Sequence, residues 1–115
     1  MDITQLEQLV VSALEDIKAK DIQVIDTTRI SALFERVVIA SGDSNRQTRA
    51  LARSVADKAR EAGIQIIGIE GEGSGEWVLV DLGAIVVHIM QPAVRSYYNL
   101  EELWAATPAR PRRAA

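Results

Sequence analysis

The stretch that decides the fold runs from residue 76 to residue 90 and reads Glu76-Trp77-Val78-Leu79-Val80-Asp81-Leu82-Gly83-Ala84-Ile85-Val86-Val87-His88-Ile89-Met90. Two runs rich in valine and isoleucine flank Gly83, a pattern typical of two strands joined by a tight turn. With an even loop whose tip is Leu82-Gly83, the alternation of side chains along a strand puts Val78 opposite Val87. One side of this hairpin is then almost purely aliphatic, which predicts that it belongs to the core.

The other side of the hairpin mixes aromatic, polar and aliphatic side chains. In the same register Trp77 lies opposite His88 and Leu79 lies opposite Val86, with Asp81 beside the turn. We interpret His88 as packed against Trp77 rather than catalytic. Such a mixed face suits contact with a partner, because tryptophan buries a large area with few torsions. An odd loop length would exchange the two sides, so the sequence leaves open which face is exposed.

Periodicity outside the hairpin predicts the remaining elements. They are a helix over residues 3–19, strands over 22–27, 37–40 and 64–69, a helix over 44–62 and a last short helix after Asn99. Thr4 with Glu7, and Ser44 with Gln47, have the spacing of capping boxes, and Gly63 is a helix stop. The order α-β-β-α-β-β-β-α favours an α/β (α+β) fold, a mixed sheet of about five strands flanked by helices. The apolar run at 37–40 is expected at its centre.

Composition restricts the class of protein. The 115 residues are 48% hydrophobic and 25% charged, which is typical of one globular domain, assigned here to residues 1–106. Residues 107–115, rich in proline, alanine and arginine, are predicted to be a disordered tail. Cysteine, a signal peptide and a membrane span are all absent from the sequence, so a cytoplasmic protein is expected. The net charge is −3, but the tail holds three arginines and no acids, so the remaining 10 basic and 16 acidic residues give the body a formal charge of about −6. Such a body disfavours free nucleic acid and favours a basic protein as partner.

Three further stretches have features of an anion or RNA site. The loop Gly71–Gly75 precedes a strand and is flanked by glutamates, so we interpret it as a flexible acidic loop rather than a phosphate site. The helix start at 41–47, with Arg46, could hold a phosphate or carboxylate, although serine-capped helices are common without a ligand. An arginine stripe over residues 46–60 could bind RNA, but Asp57 interrupts it, which favours a solvated helix face.

Catalysis and metal binding lack the residues they need. His88 is the single histidine, and no histidine or cysteine cluster could hold a metal ion. A nucleotidyltransferase needs two acids separated by one residue on a strand to hold its metal ions. Here the residue at that spacing from Asp81 is Gly83. We therefore expect a protein that is not an enzyme and that has no cofactor and no metal.

Several motifs, taken together and in order, carry a resemblance to a known family. They are Val38-Ile39-Ala40-Ser41-Gly42, Ser44-Asn45-Arg46-Gln47, Gly68-Ile69-Glu70-Gly71, Trp77-Val78-Leu79-Val80-Asp81-Leu82-Gly83, Val86-Val87-His88-Ile89-Met90 and Arg95-Ser96-Tyr97-Tyr98-Asn99-Leu100-Glu101-Glu102-Leu103-Trp104. Over residues 3–105 the chain resembles the ribosomal silencing factor (RsfS/Iojap) family. The resemblance implies a nucleotidyltransferase-like sheet without the catalytic acids. Two departures are visible, since Ala84 replaces the acid usual after the hairpin glycine and Phe34-Glu35-Arg36 replaces a common Thr-Asp pair.

The resemblance also implies a function. Members bind the large ribosomal subunit through its fourteenth ribosomal protein, on the face that meets the small subunit, and block joining when nutrients are scarce. A role in large-subunit maturation and a homodimer are further implications. Neither a membrane nor direct, specific nucleic-acid binding is expected.

From the mixed face and the resemblance we predict a partner-binding patch. Its members are Trp77, Leu79, Asp81, His88, Met90, Arg95 and Tyr98, with Glu70 and Glu101 as rim contacts. Two alternatives stay open. One is a degenerate nucleotidyltransferase or nucleotide-binding protein that uses the 42–44 turn and Arg46. The other is an RNA-binding ribosome assembly factor that uses the arginine stripe and the tail.

Overall fold

The structure, a computed structural model, describes residues 1–105, and the predicted tail at 107–115 lies outside them. The described part contains the helices α1 (Ile3–Asp16), α2 (Asn45–Glu61), α3 (Pro92–Tyr98) and α4 (Leu100–Ala105), and the strands β1 (Lys20–Asp26), β2 (Arg36–Ser41), β3 (Gly68–Glu70), β4 (Trp77–Asp81) and β5 (Ile85–Met90). The predicted order is confirmed, with one more helix, α3, between the hairpin and the last helix. None of these helices is long and apolar enough to cross a membrane.

The five strands form one open mixed sheet in the order β1-β2-β5-β4-β3. Only β2 and β5 are parallel, and every other neighbouring pair is antiparallel. The prediction that the 37–40 run is buried on both faces is confirmed, because its four residues are fully buried. The run is an inner strand next to the centre, since β2 lies between β1 and β5 and the middle strand of the five is β5. The predicted mixed sheet flanked by helices is therefore the observed fold.

The hairpin loop is even, but its tip is Gly83-Ala84 rather than Leu82-Gly83. The predicted pairings are consequently wrong by two residues, and Trp77 lies opposite Met90 while Leu79 lies opposite His88. The reason is local: the Asp81 carboxylate accepts the Gly83 N–H at 2.8 Å, which fixes a turn one step further along the chain. Because a shift of two residues preserves the side of every side chain, the prediction of the two faces survives.

The aliphatic face of the hairpin packs under α1 and α2. Val78, Val80, Val87 and Ile89 are fully buried there in one cluster with residues of both helices. The cap predicted for α1 is wrong, because the Asp2 carboxylate accepts the Gln5 N–H at 2.8 Å and the Gln5 side chain accepts the Asp2 N–H. Asp2 lies two residues before Thr4, and both bonds of the capping box are present there.

Ser44 caps α2 as predicted, since its hydroxyl accepts the Gln47 N–H at 3.1 Å. Gly63 follows the end of this helix with φ +79°, the left-handed conformation expected of a stop. The strand predicted over 64–69 is shorter, because β3 covers only Gly68–Glu70. The Ile64 N–H is bonded to the Ala59 carbonyl at 2.8 Å, so this stretch still belongs to the helix terminus.

The opposite face of the sheet is covered over only part of its area. A second cluster contains the fully buried Val37, Ile39 and Met90. Val94 of α3, Leu100 and Trp104 of α4, and Trp77 at the start of β4 pack against it, together with Ile25 of β1 and Phe34 of the loop before β2. No residue of β3, and none of β4 beyond Trp77, belongs to this cluster. The part of the face formed by β4 and β3 is therefore not packed under these helices.

Candidate functional site

The candidate site lies where the α3–α4 layer ends and the open part of the sheet begins. Alternation along β4 puts Trp77, Leu79 and Asp81 on this face, and all three are partly buried. His88 of β5 joins them from the neighbouring strand, directly opposite Leu79. The structure therefore brings together four of the predicted patch residues, and we call these residues, with Tyr98, the Trp77 face.

The indole of Trp77 is held by His88. Its Nε1–H donates to His88 Nδ1 at 3.0 Å, and the ring centroids are 5.9 Å apart. This bond requires an unprotonated Nδ1, so the imidazole proton lies on Nε2. Burial lowers the pKa of His88 to about 4, which keeps the ring neutral at pH 7. The packing of His88 on Trp77 predicted from the sequence is confirmed, and its role is to fix the orientation of the indole.

Aromatic rings of α3 extend the face beyond the sheet. The Tyr98 ring lies 4.9 Å from that of Trp77, and the Tyr97 ring lies 5.0 Å from that of Tyr98. Tyr97 is 81% exposed and Tyr98 54%. A groove of about 340 Å³ opens between this helix and the loop before β4, and it is lined by Ser74, Glu76, Trp77, Ala93, Val94, Tyr97 and Tyr98. Exposed, mutually packed aromatic rings beside a groove are typical of protein-binding hot spots.

Carboxylates surround the aromatic centre. Asp81 stands at the far end of β4, where it also stabilises the hairpin turn. Glu70 of β3 is exposed and lies directly opposite Leu79, and Glu76 lines the groove. The face therefore has an apolar centre and an acidic rim, the charge pattern that complements a basic partner.

Two residues of the predicted patch and one predicted rim contact lie outside the Trp77 face. Met90 is fully buried in the second cluster, so it supports Trp77 from below and cannot supply contact area at the surface. Arg95 and Glu101 form an ion pair with an N–O distance of 2.6 Å, and the Arg95 side chain is only 11% exposed. Arg95 also donates to the Ser41 hydroxyl at 2.8 Å, which fastens α3 to the end of β2. The assignment of Met90 as a contact is corrected, because its side chain has no exposed surface. Arg95 and Glu101 join α3 to α4, and their role as partner contacts stays a prediction.

The sequence reasoning missed the groove. Ala93, Val94 and Tyr97 were missed because no helix was predicted between the hairpin and Asn99. Pro92 followed by a short run without glycine was the available signal, since proline is favoured in the first turn of a helix. Glu76 was not among the predicted site residues, although it lines the groove.

The stretches weighed as anion or RNA sites are engaged in contacts within the chain. The backbone carbonyls of Glu72 and Gly73 accept two bonds from the Arg49 guanidinium, so the 71–75 loop is anchored on α2, which differs from the predicted flexible loop. At the start of α2, Asp43 forms an ion pair with Lys20 at 2.6 Å, which puts a carboxylate where an anion would bind. Among residues 1–105 no group of three or more His, Cys, Asp or Glu side chains could hold a metal ion.

Comparison with known proteins agrees with the resemblance seen in the motifs. The family described as "Ribosomal silencing factor during starvation" matches residues 1–114 of the chain. The ribosomal silencing factor RsfS of Chromobacterium violaceum is 57% identical over 104 residues, which cover 90% of this chain and 85% of that protein. Its Bacillus subtilis namesake is 41% identical and covers 94% of this chain and 92% of its own length.

Solved structures and a distant relative extend this picture. A crystal structure of a Chromobacterium violaceum protein, 53% identical, superposes with a TM-score of 0.90 over 100% of this chain and 94% of its own. A mouse protein named "Mitochondrial assembly of ribosomal large subunit protein 1" is 32% identical over 99 residues, and the match covers 84% of this chain and 43% of the mouse protein. The similarity therefore reaches from bacterial to mitochondrial proteins.

Proposed function

The chain belongs to the ribosomal silencing factor family, and from this premise we propose that it represses translation by binding the large ribosomal subunit and preventing it from joining the small subunit. Family membership supports a regulatory role in translation rather than catalysis. Association with the large subunit is supported by the name of the mouse relative, a mitochondrial assembly protein of the large ribosomal subunit. The proposed site of action is the cytoplasm.

The Trp77 face is the observation that carries the proposal. It presents a fixed indole, the exposed ring of Tyr98 and a partly buried Leu79 inside a rim of carboxylates. A basic ribosomal protein has the complementary charge, and we propose the fourteenth protein of the large subunit as the partner. A preset aromatic centre needs little reorganisation on binding, so less of the interaction free energy is lost to the ordering of side chains.

Occupancy is sufficient for the proposed mechanism. The folded chain measures 37 × 34 × 22 Å. A body of this size on the intersubunit face of the large subunit excludes the small subunit from the same space. No chemical step is involved, and the proposal therefore includes neither a catalytic residue nor a cofactor.

Binding to isolated large subunits tests the role of the face. Trp77→Ala removes the central ring and is expected to weaken binding by about 2–4 kcal/mol, the range typical of hot-spot residues. Affinity is measured by co-sedimentation of the full chain with purified large subunits at several concentrations.

The matched control for this test is Leu33→Ala. Leu33 is 85% exposed and belongs to the loop between β1 and β2, away from the Trp77 face. Its loss is expected to leave affinity unchanged. Equal affinities for wild type and Trp77→Ala would show that the partner binds elsewhere on the chain.

Maturation of the large subunit is a second candidate function, favoured by the name of the mouse relative. It requires the same binding face, because a factor that stays on a maturing subunit also occupies its surface. The two functions differ in the particle that the protein binds, which is either a precursor or a finished large subunit. Preferential binding to precursor particles over finished large subunits would favour the maturation role.

A further inference from the structure

One wall of the aromatic groove is a loop that α2 holds in place. The groove lies between α3, which supplies Tyr97 and Tyr98, and the end of the 71–76 loop, which supplies Ser74 and Glu76. The distance between these two walls is therefore set by whatever fixes the loop. Side chains from outside the Trp77 face take part in holding the loop.

The restraint consists of side chains at the start of α2 and at the start of α3. The Arg49 guanidinium donates through Nε to the Glu72 carbonyl at 2.7 Å and through Nη2 to the Gly73 carbonyl at 2.8 Å. The buried Thr48 hydroxyl donates to the Gly75 carbonyl. Gln91, the residue before α3, donates to the same carbonyl at 3.1 Å and to the Asn45 side chain. We call Asn45, Thr48, Arg49 and Gln91 the loop anchor.

The backbone of the loop can accept this anchor only because of its glycines. Gly75 has φ +75°, and a Cβ atom there would lie 2.9 Å from Cβ of Asn45. Gly71 has φ +90°, and a Cβ atom there would lie 2.0 Å from the Trp77 carbonyl oxygen. Side chains are excluded at both positions by conformation and by space. The loop is thus packed closely on α2 at one end and on β4 at the other.

From these contacts we infer that Arg49 is a positioning residue for partner binding: it fixes the acidic wall of the groove before the partner arrives. The inference rests on the proposed function, because it assigns the loop anchor a role at the Trp77 face. A wall that is already ordered does not have to lose conformational entropy on binding. Arg49 binds only backbone carbonyls of the loop. The carboxylates of Glu72 and Glu76 are therefore not bound to Arg49 and can contact a basic partner.

The test compares two arginines of the same helix. Arg49→Gln removes the two bonds to the loop, whereas Arg53→Gln removes an equal charge from an exposed side chain one turn further along. We expect Arg49→Gln to weaken binding to large subunits about five- to twentyfold, as loss of preorganisation does. Arg53→Gln is expected to bind as wild type does. Thermal midpoints of both variants are expected to match, because neither side chain belongs to the core.

The rate of amide hydrogen exchange in the loop is a second measurement. Removal of a positive charge alone is not expected to change this rate. The Gly75 N–H donates to the Gly71 carbonyl at 3.0 Å inside the anchored loop. Its exchange is expected to accelerate in Arg49→Gln and to remain unchanged in Arg53→Gln. Gly75→Ala, which displaces the loop without a change of charge, is expected to weaken binding like Arg49→Gln.

The outcomes separate the inference from the proposed function. Wild-type affinity in Arg49→Gln, or an equal loss in Arg49→Gln and Arg53→Gln, overturns the inference alone. Unchanged exchange at Gly75 in Arg49→Gln also overturns it, because the loop would then not depend on the anchor. If the wild-type chain itself does not bind large subunits, the proposed function fails and the inference fails with it.

Discussion

At the scale of single residues, Trp77 and His88 act as a pair. The indole N–H needs an acceptor when it is partly buried, and a neutral imidazole supplies one at 3.0 Å. The sequence could predict their proximity, because both residues face the same side of the hairpin. It could not predict the bond, since the register depends on the Asp81 turn, nor the burial of Met90, which depends on helices packed from another part of the chain.

Acidification tests the neutral state of His88. Its pKa is lowered from 6.5 to about 4 by burial, so the unfolded chain binds more protons at this site than the folded chain between these pH values. The free energy of unfolding therefore falls as the pH decreases through this window, by about 1–2 kcal/mol at pH 5. Urea denaturation at pH 7.5 and pH 5 measures the effect.

His88→Gln is the control for this measurement, because His88 is the only histidine in the chain. The variant lacks the titrating group and is expected to lose less stability than wild type over the same pH change. The same pH-dependent loss in both proteins would mean that His88 does not titrate in this way.

At the scale of the elements, the hairpin organises the sheet and the site together. Its aliphatic side supplies the core under α1 and α2, and its other side supplies Trp77, Leu79 and His88. Alternation along the strands was enough to predict these two faces, because it is a local property of the backbone. The coverage of one face by α3 and α4 was not predictable, since it depends on the Arg95–Glu101 ion pair and on contacts between residues distant in sequence.

The hairpin turn offers a matched pair of glycine substitutions. Gly83 has φ +86°, and a Cβ atom there would lie 3.2 Å from Cδ1 of Ile67, whereas a Cβ at Gly73 would meet nothing within 4 Å. Gly83→Ala is expected to lower the free energy of unfolding by about 1–2 kcal/mol, the cost of a left-handed conformation with a side chain. Gly73→Ala should have little effect in the same denaturation experiment. Equal stability of the two variants would contradict the role assigned to the turn.

At the scale of the whole molecule, the fold separates a structural side from a binding side. Helices α1 and α2 cover one face of the sheet and bury Val78, Val80, Val87 and Ile89 there, while the opposite face remains open beyond Trp77. The fold class and the family could be predicted from ordered motifs along the chain. The groove could not, because its walls come from α3 and from a loop held by α2, and their juxtaposition exists only in the folded protein.

In the proposed mechanism, binding through the Trp77 face keeps the ribosomal subunits apart. The most direct measurement is sedimentation of purified large and small subunits mixed with the wild-type chain, Trp77→Ala or Leu33→Ala at equal concentrations. The proposed mechanism predicts that wild type and Leu33→Ala shift material from joined ribosomes to free subunits and that Trp77→Ala does not. Joined ribosomes persisting in the presence of saturating wild-type protein, or full separation by Trp77→Ala, would contradict it.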